Sequence, residues 1–258
     1  KFEWKGYTKN PTVRSYWPKP EAKQSALEAA AELINNAKRP YLLVGQGVLI
    51  SEAQKEVIAL IEKAGIPTAS TLQGLSAVPT DHPLFTGMLG MHGNYGPNIL
   101  TNECDVLIAI GMRFDDRVTG DLNTYAKQAK IIHFDIDKAE INKNVKVDVG
   151  VLGNCKQTLA ALLPLVKENN HSQWQFSFDQ LYEVEFKEVI DKEMNPTGPG
   201  ISMAEVIEQI NVATQSQAIV VTDVGQHQMI ACRYAQETLP KSTITSGGLG
   251  TMGFALPS

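Results

Sequence analysis

Apolar runs that open into glycine-bearing turns constrain this chain most. Tyr41-Leu42-Leu43-Val44 leads into Gly45-Gln46-Gly47, Val106-Leu107-Ile108-Ala109-Ile110 into Gly111, and Ala218-Ile219-Val220-Val221 into Thr222-Asp223-Val224-Gly225. Another apolar run covers residues 131–136, and shorter strands are expected at 66–69 and 147–149. Strands apolar on both faces belong to a parallel sheet covered on two sides. The segments between them have helical spacing. Residues 25–34 end at Asn35-Asn36, Ser51 is placed to cap a helix over 52–64, Asn154 one running through Leu163, and Ser202 one before the last strand. The fold class expected is α/β, a parallel sheet with helices on both faces, followed by the first part of a second α/β domain.

Punctuation divides the chain. Pro11, Pro18 and Pro20 make residues 1–20 an extended linker. Residues 21–168 form the central domain. Asn195-Pro196-Thr197-Gly198-Pro199-Gly200 closes a linker over 169–200, which holds an amphipathic segment, and residues 201–258 begin the second domain.

The chain has 258 residues, 43% of them hydrophobic, enough for one large or two medium domains. A net charge of -5 argues against nucleic acid or an anionic membrane as partner. No apolar run reaches the roughly 20 residues of a membrane helix. Cys104, Cys155 and Cys232 lack metal-ligand spacing and read as reduced thiols of a cytoplasmic protein.

Several motifs carry chemistry, each with a plainer alternative. Gly45-Gln46-Gly47 is either a phosphate-binding turn or a tight βα turn, since Ile50 stands where the third glycine of Gly-x-Gly-x-x-Gly would be. Gly111-Met112-Arg113-Phe114-Asp115-Asp116-Arg117-Val118-Thr119-Gly120 places two arginines past a strand end, where open α/β sheets bind ligands. Arginine grips phosphate or carboxylate with two parallel donors, but two adjacent aspartates also allow a self-neutralising surface cluster. Asp135, in His133-Phe134-Asp135-Ile136-Asp137, suits a ribose hydroxyl, or it faces solvent while Asp137 caps a helix. His133 reads as a core histidine. Leu89-Gly90-Met91-His92-Gly93 is a glycine-flanked loop whose Met91 suits a channel lining. Gly225-Gln226-His227-Gln228-Met229 and Ser246-Gly247-Gly248-Leu249-Gly250-Thr251-Met252-Gly253 offer backbone N–H groups and close backbone approach to an anionic ligand.

In this order these motifs resemble the acetolactate (acetohydroxyacid) synthase family, catalytic subunit. The likeness covers residues 39–166 and the last motifs, and is less diagnostic over 171–199. It implies a central FAD-binding domain and the start of a thiamine-diphosphate-binding domain. FAD is then expected against Gly45, Gln46, Gly47, Thr71, Leu72, Leu89, Gly90, Met91, His92, Gly111, Arg113, Asp115, Arg117 and Val118. Asp135, Ile136, Asp148 and Val149 would surround its adenosine half. Thiamine diphosphate is expected against Val224, Gly225, Gln226, His227, Gly250 and Met252, the last propping the cofactor in its bent form. Met91 would line the substrate channel, and Arg117 would hold the carboxylate of the second 2-oxoacid.

The activity so implied is decarboxylation of pyruvate and joining of the two-carbon unit to pyruvate or 2-oxobutyrate, in valine, leucine and isoleucine synthesis, with FAD structural. The partners implied are 2-oxoacids, a second catalytic subunit in a homodimer or homotetramer, and a small regulatory subunit. The family's catalytic glutamate and its Mg²⁺-binding Gly-Asp-Gly…Asn motif are not in these residues. No metal ligand is therefore assigned here, and the chain alone is expected to be an inactive piece of a larger enzyme. Glyoxylate carboligase and pyruvate oxidase share the domains, and a non-catalytic nucleotide-binding module is the alternative of another class. Arg117, in Arg-Phe-Asp-Asp-Arg, favours the synthase.

Overall fold

The computed structural model describes Glu3, Trp4, Gly6 and residues 20–258, so the expected N-terminal linker lies almost wholly outside the described residues. Helix α1 (Gln24–Asn36) precedes β1 (Pro40–Val44). The short α2 (Gln46–Ile50) and then α3 (Gln54–Ala64) lead to β2 (Thr68–Ser70) and β3 (Phe85–Met88). The alternation continues through α4 (Tyr95–Leu100), β4 (Val106–Ile110), α5 (Asp116–Thr119), β5 (Lys130–Asp135), β6 (Val149–Leu152) and α6 (Cys155–Leu162). The six strands pair in parallel in the order β3-β2-β1-β4-β5-β6. This is the doubly wound order, in which the chain starts in the middle and winds outward both ways.

Two layers of core explain the order. Leu42, Val44, Ile108, Ile110, Ile132 and Phe134 point to one face, against Leu27 and Ile34 of α1, Leu60 and Ile61 of α3 and Leu159 of α6. Tyr41, Leu43, Leu107 and Ile131 point to the other, against Leu100, Trp174 and Phe178. The last two belong to α7 (Ser172–Glu185), which lies inside the stretch expected to be a linker. Trp174 Nε1 donates to Pro40 O at 2.9 Å, and the Tyr41 and Phe178 rings pack tilted with centroids 4.8 Å apart. The segment is thus a structural wall of the sheet. Aromatic burial of this size, not the flanking Asn and Pro residues, decides its role.

Helix α7 runs into a π-helical turn (Phe186–Ile190) and α8 (Asp191–Met194). Helix α9 (Met203–Thr214), β7 (Val220–Thr222), α10 (Gln226–Tyr234) and β8 (Thr243–Thr245) follow, with β7 and β8 paired in parallel. Ser202 and Glu205 form the expected cap of α9 as a reciprocal capping box. Asn154 likewise accepts from Lys156 N and Gln157 N at the start of α6.

Other local expectations need correction. Ser51 does not cap α3 but ends α2 as its C-cap, its hydroxyl donating back to Gly47 O at 2.6 Å, and α3 starts three residues on. Strand β6 begins at Val149 and not at 147, because Asp148 turns its carboxylate to Lys130 and the Ile131 N–H. Strand β3 was not expected. All three cysteines are buried free thiols, and burial pushes Cys104 and Cys232 up to about 12 and Cys155 to about 11. Among the described residues no helix is long and apolar enough to cross a membrane.

Candidate functional site

The strand order reverses between β1 and β4, and two glycine turns meet there. Gly45 N donates to Ile110 O at 2.9 Å, Gly47 N to Gly111 O at 2.9 Å, and Gly111 N to Phe134 O at 2.8 Å. A Cβ on Gly45 would lie 2.3 Å from Gly111 O, and one on Gly111, whose φ is +60°, would lie 2.7 Å from Gly47 Cα. These glycines are therefore required first by the contact of one turn with the other. That contact lies at the carboxyl ends of β1 and β4, where this fold class takes its ligands. Thr71 N adds a bond to Val44 O at 2.8 Å and sets Leu72 at the same edge.

The Gly90 loop docks onto the Arg117 turn. Met91 N donates to Arg117 O at 2.8 Å, and Asn98 brackets Gly90 by accepting from its N–H at 2.9 Å and donating to its carbonyl at 3.0 Å. Leu89 is buried beneath, while Met91 and His92 are exposed.

The two arginines then separate. Arg113 Nη2 donates to Asp115 at 3.3 Å, and the other oxygen of Asp115 caps α5 by accepting from Arg117 N at 3.1 Å. The Arg117 guanidinium rests instead on the Met91 sulfur, 3.6 Å away. Among the described residues no carboxylate lies within ion-pair distance of it. The self-neutralising reading thus holds for Arg113 and Asp115 and fails for Arg117, whose donor fork meets no carboxylate among the described residues. Val118 is half-buried and packs against the core.

Asp135 ends β5 nearly buried and accepts from Asp137 N at 2.8 Å. Beside it the Nε2–H of the fully buried His133 donates to Met112 O at 2.8 Å, and its Nδ1 has no partner. Exposed Ile136 completes this end. Asp148 and Val149 stand apart: Val149 pairs with Ile132, three positions before Asp135, and Asp148 is held by Lys130 Nζ at 2.8 Å. Burial pushes the Asp148 carboxyl up, but the bonds from Lys130 and Ile131 N outweigh that and leave it below its ordinary value. Three residues of strand is about 10 Å, which only the far end of an extended dinucleotide would span.

A second cluster forms around β7 and β8. Gly225 opens α10 and leaves the first N–H groups of that helix without intrahelical partners. Gln228 reaches Thr245, Thr222 bonds Thr245 at 2.9 Å, and Asp223 accepts from Phe254 N at 2.6 Å, folding the glycine-rich loop back past Val224. Gly250 adopts φ +65°, and Met252 is 80% exposed on that loop. The two clusters touch where Gln73 Nε2 donates to Thr245 O at 3.1 Å.

Other residues that join the clusters carry no local signal. Asn94 reads as a helix cap but spends its Oδ1 on Met88 N at 2.9 Å. Glu185, Arg233 and Glu237 meet their partners only through the fold. A cavity of about 1360 Å³ opens between β3, α7 and α9, lined by Phe178, Tyr182, Ile201 and Ile210. Asn94, Arg233 and Glu237 also line it, and none of the residues expected to touch FAD or thiamine diphosphate does.

A doubly wound sheet whose glycine turns meet at the switch point, with the N-terminus of α10 in the adjoining cluster, is an arrangement that α/β proteins use for phosphate-bearing ligands. Residues 27–162 match the central domain of thiamine pyrophosphate enzymes, and residues 223–258 match their C-terminal TPP-binding domain. The chain belongs to the thiamine pyrophosphate enzyme family. It is similar to a Methanocaldococcus jannaschii protein named "Probable acetolactate synthase large subunit", 41% identical over 94% of this chain and 42% of that protein. It is also 41% identical to the acetolactate synthase isozyme 2 large subunit of Escherichia coli, over 90% of this chain and 41% of that protein. The acetolactate synthase large subunit of Buchnera aphidicola is 36% identical over 98% of this chain and 44% of its own length. The chain spans about two fifths of the length of these relatives.

Proposed function

We propose that the chain serves within an acetolactate synthase large subunit, joining a two-carbon unit from pyruvate to pyruvate or 2-oxobutyrate in branched-chain amino-acid synthesis. The observation that carries this is the uncommitted Arg117 guanidinium on the Met91 sulfur, at the edge where the sheet binds ligands. It suits the carboxylate of the accepting 2-oxoacid.

The crevice fits FAD. Exposed Ile50, Met91 and Ile136 offer apolar area to ring systems, and Arg113, which spends only Nη2 on Asp115, has donors left for phosphate. The flavin would lie along Gly45–Gly47, Thr71, Leu72, Leu89–His92, Gly111, Arg113, Asp115 and Val118, its far end toward Asp135, Ile136, Asp148 and Val149. The free N–H groups at Gly225, Gln226 and His227 fit a diphosphate, with Val224, Gly250 and Met252 about the ring system. When bound with Mg²⁺, thiamine diphosphate supplies the electron sink for decarboxylation. The chain's own residues position the acceptor. Asp115 fixes the backbone at Arg117, and the Met91 sulfur meets its guanidinium. A cytoplasmic assembly with a second large subunit and a small regulatory subunit belongs to the same proposal.

The test is Arg117 in the complete polypeptide that carries this sequence. A two-pronged charged contact in a partly dry site is worth roughly 2–3 kcal/mol. Arg117→Ala should lose nearly all of that in the use of the second 2-oxoacid, and Arg117→Lys part of it, since lysine keeps the charge without the fork. Flavin should stay bound in both. Release of FAD by Arg117→Ala with unchanged acceptor use would overturn the assignment.

A further inference from the structure

Helix α7 changes character at Glu185, where α-helical bonding passes into the π-helical turn of residues 186–190. Such turns are rare and frequently mark functional positions. This one sets a carboxylate inward: the Glu185 side chain is only 3% exposed.

Three groups from two elements converge on it. Tyr95 N, the first helical N–H of α4, donates to Oε2 at 2.9 Å. Asn94 Nδ2 approaches Oε1 at 3.4 Å. Arg233, near the end of α10, pairs with Oε1, and its own side chain is 19% exposed. A buried pair of this kind is costly to break from one side, because the remaining charge has no water to turn to.

Each partner is the root of a ligand-facing segment. Asn94 closes the loop that carries Met91 and His92, donating its N–H to Met88 O at 2.7 Å and accepting Met88 N at 2.9 Å. That loop continues to Arg117 through the Met91 N–H. Arg233 lies on the same rigid helix as Gln226 and His227, about two turns away. One carboxylate therefore joins the base of the proposed flavin and acceptor loop to the helix that presents N–H groups to the diphosphate.

We infer that Glu185 is a positioning residue that couples the two cofactor sites through Asn94 on one side and Arg233 on the other. The inference rests on the assignment of those sites to FAD and thiamine diphosphate. Coupling between sites is a reciprocal free energy, and it needs one element that both ligands order. The Glu185 junction is that element.

The experiment uses the complete polypeptide stripped of cofactors, with Mg²⁺ present. Thiamine diphosphate affinity is measured with and without saturating FAD, for wild type, Glu185→Gln and Arg233→Lys, with the melting temperature of each. Wild type should bind thiamine diphosphate at least about five-fold more tightly when FAD is bound. Glu185→Gln keeps the shape, removes the charge and should bring that ratio close to one. Arg233→Lys keeps the charge without the fork and should fall between. If Glu185→Gln does not fold, Arg233→Lys still decides.

A lowered melting temperature with an undiminished ratio would reduce the pair to a structural strut and overturn the inference. A wild-type ratio of one would overturn it too. A wild-type polypeptide that binds neither cofactor would overturn the functional proposal itself.

Discussion

Strands β4 and β7 are both parallel and both lead toward a glycine turn, at Gly111 and Gly225, yet every residue of β4 is buried while β7 buries only Thr222. The difference lies in their neighbours. β4 sits between β1 and β5 with helices on both faces, whereas β7 has β8 as its one partner among the described residues. Apolar side chains nearby follow suit, with Ile201 80% exposed and Ile219 64% exposed. An apolar run states what a strand is able to bury, and the rest of the sheet decides how much of it is buried. The second region is held instead by contacts to the first: Gln73 on Thr245, Glu237 on Ser76 and Thr80, and a small cluster of Leu75, Met88 and Cys232.

If that contrast is right, core truncation separates the regions most sharply. Phe134→Ala removes a fully buried ring from the first core and should cost about 3–5 kcal/mol. Ile244→Ala, on the half-buried strand β8, should cost about 1 kcal/mol because much of that side chain keeps its contact with water. Denaturant midpoints and hydrogen exchange would show it, with strong protection over β1, β4 and β5 and weak protection over β7 and β8. Similar losses at the two positions would break the comparison.

A smaller effect comes from the seam between the regions. Burial pushes the Glu237 carboxyl up from 4.5 to about 7, even though Thr243 and the Ser76 N–H bond to it. The folded state thus holds its proton more tightly than the unfolded state. The stability this adds is complete below about pH 4.5 and is lost as pH rises through 7, at most about 3 kcal/mol by linkage. Melting temperatures at pH 5 and pH 8.5 should differ in that direction. Glu237→Gln, which cannot ionise, should flatten the difference. A variant with the wild-type pH profile would show that another group carries it.

Sequence and structure agree where a signal is local. The runs over β1, β4 and β5 announced buried parallel strands, and the Asn154 and Ser202 caps stand where their spacing put them. Strand β3 escaped because Phe85-Thr86-Gly87-Met88 is an edge strand interrupted by glycine, with only Met88 buried. Helix α7 was visible as amphipathic, but nothing in its own residues said that Trp174 would seek Pro40, 134 positions away. The site divides in the same way. The glycine turns and the Arg-Asp run are legible as motifs. That Asp115 takes Arg113 and leaves Arg117 free, or that Glu185 joins Tyr95 to Arg233, follows from three-dimensional placement alone.

The finest test of the two regions uses one helix cap from each. Asn154 satisfies two orphan N–H groups of α6, and Ser202 satisfies one of α9, whose Glu205 returns the bond. Replacing either by alanine costs about 1 kcal/mol of local helix stability, although the Ser202 hydroxyl also donates to Glu193 O at 2.7 Å, so the main contrast is one of location. Helix α6 packs into the main core through Leu159 and Leu162, while α9 buries only Ala204 and Asn211. Asn154→Ala should therefore lower the main cooperative transition by a few degrees. Ser202→Ala should leave that transition in place and instead speed exchange over α9 and β7, because a region that opens by itself reports its own losses. A shift of the main transition by Ser202→Ala as large as that by Asn154→Ala would mean that the two regions unfold as one. The polar seam at Glu185 and Glu237 would then be holding the second sheet as firmly as the core holds the first.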